Sequence, residues 1–296
     1  VGRRLEHIKS HKKTWNKLQK KSGNYFIEGF GLNNFSIKKK TTINAGNSGT
    51  LARLILGLLV KSKFRIRLIG DKSLSQRDFS RVIKPLRLFG VNIQSKKNFL
   101  PIEILGTNYL RPISYNEKIG SAQVKSCIIF CALNTPGITL INAKKSRNHT
   151  EQLLRSLNYP LKVNKTNNID KISISGLSQF KSFKYIIPGD ISSAAFFIVL
   201  TILSKKSKMI IENVNINKTR IGVIKILNKM GSAIRLINKK IYKGENIADI
   251  FIKSSGKLRG FNCPSYLNSS AIDEFLIIFL VAAKAKGIST FKNLGE

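Results

Sequence analysis

Residues 46–53, GNSGTLAR, set small polar side chains directly ahead of Leu51, Leu54, Ile55 and Leu58, which have helical spacing. A helix start leaves backbone N–H groups unpaired and carries about half a positive charge. Gly49 would let an anion approach closely, and Ser48 and Thr50 would add hydroxyl donors. The pattern predicts a cradle for a phosphate or carboxylate. Ser121 and Gln123 open a second apolar helix in the same way. The other reading is an ordinary N-cap, and for any one start taken alone it is preferred. Several such starts in one chain, each beside an Arg or Lys, favour binding. Arg77, in GDKSLSQRDF, and Arg147, in SRNHTE, can each grip a carboxylate or phosphate through two N–H groups, or can simply be solvated. Asp273 and Glu274 head a further apolar helix. They can serve as helix-start electrostatics, or as a carboxylate that takes or binds a hydroxyl proton.

Other residues carry less. His149 has no carboxylate or thiol partner at a recognisable spacing, so it is not read as a general base, and Glu151 is assigned to a capping pattern. His7 and His11 lack the glutamate of a zinc-protease helix. Cys127 and Cys131 sit four apart on an apolar helix without a second Cys or His pair, and are read as small core residues. With Cys263 they make three cysteines, an odd and sparse set that fits a reducing compartment. No phosphate-binding loop string and no dinucleotide fingerprint occurs.

The elements that must position these residues recur. Each unit has small polar residues, an apolar helix and a β-rich run. A second helix and two short strands follow. Copies begin near Asn47, Ser121, Gly189 and Ser270. The second helices of the first and third copies stop at Gly90 and Gly231. Such a unit cannot bury its faces alone, so several must pack, with helices inside and sheets outside or the reverse. The expectation is an α/β fold of pseudo-symmetric repeats in two domains, residues 1–185 and 186–296. Residues 1–21 fit no clear unit.

The chain has 296 residues, 42% of them hydrophobic, which is ample for a packed core. No run reaches the ~18 apolar residues of a membrane span, and no signal peptide is recognisable. A cytoplasmic protein is expected. The net charge of +37 raises the possibility of nucleic-acid binding. The lysines are spread along the whole chain, without the interleaved aromatics of a single-strand groove, which favours a diffuse bias and anionic substrates.

Seven segments in series carry a resemblance: GNSGTLARLILGLL, LIGDKSLSQRDFSRVIKPLRLFGV, SAQVKSCIIFCALNTPGIT, SRNHTEQLL, PGDISSAAFFIV, NKTRIGVIKILNKMG and AIDEFLIIFLVAAKAKG. In order and spacing the chain resembles the 5-enolpyruvylshikimate-3-phosphate (EPSP) synthase family, from about residue 26 to 296. The resemblance implies an inside-out α/β barrel of βαβαββ units in two domains. It implies transfer of the enolpyruvyl group of phosphoenolpyruvate to the 5-hydroxyl of 3-phosphoshikimate, with release of phosphate. It also implies that no cofactor is needed, that the partners are these two small molecules rather than nucleic acid or membrane, and that the protein is a monomer.

By the same resemblance Gly49, Thr50 and Arg77 serve phosphoenolpyruvate, and Gln123 touches both substrates. Ser121, Ala122, Ser146 and Arg147 serve 3-phosphoshikimate. Asp273 contacts the 5-hydroxyl as proton acceptor. Family members usually carry Arg-Pro where this chain has Arg77-Asp78. An acidic neighbour there would weaken anion binding unless it turns away. The family's opening Lys-Ser segment and its Lys-Glu-Ser-Asp-Arg segment are not found between Val1 and Glu296. The chain is therefore expected to be cut at both ends and to show no turnover by itself. Gly rather than Ala at position 49 implies sensitivity to the inhibitor glyphosate. The alternatives are the related transferase acting on UDP-N-acetylglucosamine, a basic nucleic-acid-binding protein and an inactive paralogue. The SAQVKS and SRNHTE segments favour the shikimate enzyme over the first.

Overall fold

Alternating and helical hydrophobic patterns settle into short strands and apolar helices in the computed structural model, which describes residues 18–29, 31–32 and 39–294. His7 and His11 lie outside the described residues. The chain divides into two compact units. The first takes the described residues up to Lys145 together with Leu157–Lys181, and the second takes Ser146–Ser156 and 182–294. The sequence reading drew one boundary at 185/186. The units instead divide at 181/182, and the short segment Ser146–Ser156 joins the second. The reason is local: its polar side chains find their partners there, as described below.

The first unit opens with a hairpin, β1 (Leu18–Lys21) and β2 (Asn24–Ile27), turning through Ser22 and Gly23, both at positive φ. Two units of one design follow. In the first, β3 (Thr41–Asn44) leads through α1 (Gly49–Leu58) to β4 (Ile66–Ile69). The short α2 (Lys72–Ser75) and α3 (Ser80–Leu88) lead on to β5 (Asn92–Ser95) and β6 (Ile102–Leu105). β3 and β4 are parallel, β6 is antiparallel to both β4 and β5, and the sheet order is β3-β4-β6-β5. The next copy runs β7 (Ser114–Glu117), α4 (Ala122–Leu133), β8 (Ile138–Lys144), then β9 (Leu161–Lys165) and β10 (Ile169–Ser175). Its order, β7-β8-β10-β9, repeats the same parallel and antiparallel pairings. The repeat read in the sequence is therefore real, but each unit begins one strand earlier. β3 and β7 hold polar residues such as Thr41, Asn44, Ser114 and Asn116 and give little hydrophobic alternation.

In this unit the helices lie inside. α4 is buried on nearly all sides, with Val124, Cys127, Ile128, Ile129, Cys131 and Leu133 in the core, as a helix enclosed by other elements must be. β8 and β10 alternate buried and exposed residues, so each turns one face to the core and one to solvent. α1 crosses α4 so closely that a Cβ on Gly57 would stand 2.2 Å from the Cys127 carbonyl oxygen. Both helix cysteines are fully buried, and burial pushes the Cys127 thiol up to about 12, so they act as small core residues.

The second unit contains α5 (His149–Ser156), α6 (Ile191–Leu203), β11 (Lys208–Asn215), α7 (Gly222–Lys229), β12 (Ala233–Tyr242) and β13 (Glu245–Lys253). β14 (Asn262–Cys263), α8 (Asn268–Ala271), α9 (Phe275–Lys284) and β15 (Thr290–Phe291) complete it. The sheet β11-β13-β12 is antiparallel, and Gly189 bridges to Val214 in parallel where the other copies have their first strand. β14 and β15 pair in parallel across α8 and α9, as the opening of a fourth copy. Ile191, Ala195, Ile198 and Ile202 of α6 pack with residues of α7, α9 and β13 in one core. Among the described residues no single helix is long and apolar enough to cross a membrane.

Candidate functional site

In the first unit the loops before α1 and α2 hold each other. Asp71 N–H donates to the Gly46 carbonyl at 2.9 Å, and Asn47 Nδ2 donates to Asp71 Oδ2 at 2.6 Å. Asp71 Oδ1 caps α2 by accepting from Leu74 N–H at 2.7 Å. These bonds, the Leu74 N–H first and then Asn47, hold the Asp71 carboxyl below its ordinary range. Capped in this way, α2 delivers Arg77 to the start of α1. A Cβ on Gly49 would lie 3.2 Å from Arg77 Nη1 and 3.4 Å from Arg53 Nη1. Arg53 stands one turn into α1, on the same face as Gly49. Its guanidinium stacks 5.4 Å from the centre of the Phe79 ring and donates to Gln123 Oε1 at 2.6 Å. Gln123 Nε2 donates in turn to Thr50 Oγ1 at 2.9 Å.

Gly49, Thr50, Arg77 and Gln123 are therefore in one place, with Ser121 and Ala122 flanking Gln123. Ser48 and Ser121 cap their helices, accepting from Leu51 N–H and Val124 N–H. The cap reading applies to both serines, which finish the helix starts, while Gly49 and the two arginines take no part in capping. The electrostatics suit an anion. Burial lowers the Arg53 pKa, and the like charges of Arg77 and Arg81 lower it further. Among the described residues no carboxylate lies within ion-pair distance of Arg77. Asp78 is committed elsewhere: it accepts from the Ser80 hydroxyl and, at 2.8 Å, from Ser80 N–H.

The second unit gathers a different set. Asp190 caps α6, accepting from Ser193 N–H at 3.0 Å, and pairs with Arg220 Nη1 at 2.9 Å. Arg220 Nη2 donates to Ser192 Oγ at 2.6 Å and lies 3.7 Å from Asp273 Oδ2. Arg147 Nη2 donates to the same Asp273 oxygen at 2.5 Å. Ser192 donates its hydroxyl proton to Glu274, which is buried. Burial raises the Glu274 pKa against the Ser192 bond and Arg220, and the neighbouring Asp273 adds to the rise. Ser146 Oγ is buried and has no hydrogen-bond partner among the described residues. Arg147 and Asp273 thus meet within one unit, with Ser146 next to Arg147 in the chain, and two guanidiniums hold an exposed carboxylate. A carboxylate held in this way can accept a proton from an alcohol while the arginines stabilise negative charge beside it.

Several participants escaped the sequence reading. Arg53 and Arg220 both lie inside quoted motifs, yet nothing in the motifs marks them as members of these clusters. Asp190 and Ser192 were not singled out in the sequence. His149 does have a carboxylate partner: Nδ1 lies 2.7 Å from Oε1 of Glu245, 96 residues away, a distance along the chain that no spacing rule reveals. Among the described residues no group of three or more His, Cys, Asp or Glu is arranged to hold a metal ion.

The sequence model of EPSP synthase (3-phosphoshikimate 1-carboxyvinyltransferase) matches residues 5–296. A 3-phosphoshikimate 1-carboxyvinyltransferase of Ruthia magnifica subsp. Calyptogena magnifica is 42% identical over 99% of this chain, which covers 66% of that protein. The same-named protein of Petrotoga mobilis is 39% identical over 91% of this chain and 62% of its own length. The chain thus spans about two thirds of the length of these relatives. Among solved structures, EPSP synthase from Acinetobacter baumannii superposes with a TM-score of 0.82 at 37% identity, covering 97% of this chain and 64% of that one. The enolpyruvyl transferase NikO from Streptomyces tendae, at 14% identity and a TM-score of 0.58, shares the fold alone. With the paired sheet topologies and the two clusters built on helix starts, these likenesses place the chain in the EPSP synthase family.

Proposed function

We propose that the protein transfers the enolpyruvyl group of phosphoenolpyruvate to the 5-hydroxyl of 3-phosphoshikimate and releases phosphate. The observation that carries this reading is Asp273, an exposed carboxylate held at one oxygen by Arg147 and Arg220. Asp273 takes the 5-hydroxyl proton as the oxygen adds to C2 of phosphoenolpyruvate, whose methylene carbon gains a proton. The tetrahedral adduct then loses phosphate and a methyl proton, and the double bond re-forms. Gly49, Thr50, Arg77 and Gln123 are assigned to phosphoenolpyruvate, and Arg53 joins them because it lies beside Gly49 and bonds Gln123. Ser121, Ala122, Gln123, Ser146 and Arg147 are assigned to 3-phosphoshikimate. These residues supply fixed positive charge and hydroxyl donors, which is what two anionic substrates require, so the reading includes no cofactor. It places the protein in the cytoplasm, as a monomer without a specific nucleic-acid partner.

The test is phosphate release from phosphoenolpyruvate by the protein at the full length of its gene product. Release should depend on 3-phosphoshikimate and not on UDP-N-acetylglucosamine. Asp273→Asn should lower kcat by ~10²-fold or more, the scale of a positioned proton acceptor. Release with the nucleotide sugar, or an unchanged kcat in the variant, would overturn the reading.

A further inference from the structure

The second unit holds a buried carboxylate that the proposed reaction does not use. Glu245, at the head of β13, is 3% exposed. It accepts from His149 Nδ1 at 2.7 Å, Asn215 Nδ2 at 3.0 Å and Asn217 Nδ2 at 3.1 Å. These donors come from α5, the end of β11 and the loop after it. Asn217 Nδ2 also reaches Asn148 Oδ1 at 2.9 Å, and Gln152 Nε2 donates to that same oxygen at 2.9 Å. The turn before Glu245 lies against α5: a Cβ on Gly244 would stand 2.8 Å from the Gln152 carbonyl.

The segments anchored in this way carry the two arginines of the Asp273 cluster. Arg147 is two residues before His149 and next to Asn148. Arg220 follows Asn217, whose carbonyl accepts Arg220 N–H at 2.8 Å and whose Oδ1 accepts Thr219 N–H at 2.9 Å. One buried carboxylate is thus bonded to side chains on both segments whose guanidiniums converge on Asp273 Oδ2.

We propose that Glu245 is a positioning residue: through His149 and Asn217 it fixes the segments bearing Arg147 and Arg220 so that both guanidiniums meet at Asp273. An ionised carboxylate suits the task because it only accepts, and all three of its partners arrive as donors. A glutamine there would turn an N–H group toward one of them. The low pKa of Glu245 agrees: burial raises it, but the His149 and asparagine bonds outweigh burial. The effect on turnover rests on the reading of Asp273 given above, whereas the effect on geometry does not.

The experiment uses the full-length protein with His149→Ala and with His149→Asn, whose amide N–H can replace the ring Nδ1–H. The ring is partly exposed and both asparagines stay on Glu245, so the fold is expected to survive, and a thermal melt of each variant checks this. His149→Ala should raise the KM for 3-phosphoshikimate roughly tenfold while the KM for phosphoenolpyruvate stays within about twofold, and His149→Asn should restore most of the loss. A crystal structure of His149→Ala should show Arg147 drawn off Asp273. An unmoved Arg147, or a 3-phosphoshikimate KM unchanged within about twofold in a protein that uses this substrate, would overturn the proposal. If the unaltered protein does not act on 3-phosphoshikimate, the reading of the reaction fails by itself, and the crystal structure still decides the positioning.

Discussion

At Gly49 one methyl group separates an open helix start from a crowded one. A Cβ there would press on the tips of Arg77 and Arg53, which are the far ends of flexible side chains. The cost of Gly49→Ala should therefore fall on ligand geometry and not on folding. We expect an unchanged melting temperature, a KM for phosphoenolpyruvate raised by roughly tenfold, the weight of one weakened charge-assisted contact, and a larger loss of glyphosate inhibition. Steady-state kinetics with and without the inhibitor measure both. Glu274 yields a prediction in pH. Its pKa is raised, mainly by burial, above the ordinary 4.5. Such a carboxyl holds its proton more tightly when folded. Its contribution to stability is complete below the unfolded value and is lost as pH rises through the folded one. Glu274→Gln, which stays neutral, should match the native protein at about pH 4 and melt a few degrees higher at about pH 7. An equal or lower melting temperature at neutral pH would show that the charge is needed for Ser192 and Arg220. Gly49, Arg77 and Asp273 could be picked out as candidates from the sequence because each lies at or just before a helix start, a local feature. Arg53, Arg147 and His149 take their meaning from partners 70, 126 and 96 residues away, and no local pattern encodes those.

Among the elements, the crossing of α1 and α4 is the tightest constraint in the first unit's core. Gly57 stands where the Cys127 carbonyl leaves no room for a side chain, and the obstacle is backbone that cannot swing aside. Gly57→Ala must push the helices apart, at a cost of about 1–3 kcal/mol or more. In a protein of this size that should appear as a melting temperature lower by several degrees. Calorimetry that found no change would mean the helices are free to separate. The apolar helices were plain in the sequence because they read as long hydrophobic runs, whether buried on nearly all sides like α4 or leaving Phe196, Phe197, Leu276 and Leu280 exposed like α6 and α9. The first strand of each copy was not, because β3 and β7 are short and polar and are held by parallel pairing to the strand beyond the helix. Pairing across a crossover depends on residues tens of positions apart, so strand propensity alone cannot find it.

For the whole molecule, the formal charge of +37 sets the terms on which anions arrive. Diffuse positive charge steers small anions over distances comparable to the Debye length, ~10 Å at 0.1 M salt. If phosphoenolpyruvate and 3-phosphoshikimate are the substrates, kcat/KM should fall steadily between roughly 0.05 and 0.5 M salt while kcat changes little. A kcat/KM indifferent to salt would leave the charge without a role in capture. The chain's path between its two units was not legible, since the sequence gives no sign that Ser146–Ser156 serves the second unit. That path has a consequence in time. On the ribosome, β8 and β9 emerge on either side of this segment and can pair through β10 while it is still looped out. Glu245, which anchors His149, is synthesised 96 residues later. At ~5–20 residues per second that is a wait of roughly 5–20 s. The nascent chain must tolerate an unanchored Arg147 for that whole interval, and Arg147 and Arg220 can settle on Asp273 only once the second half of the chain has been made.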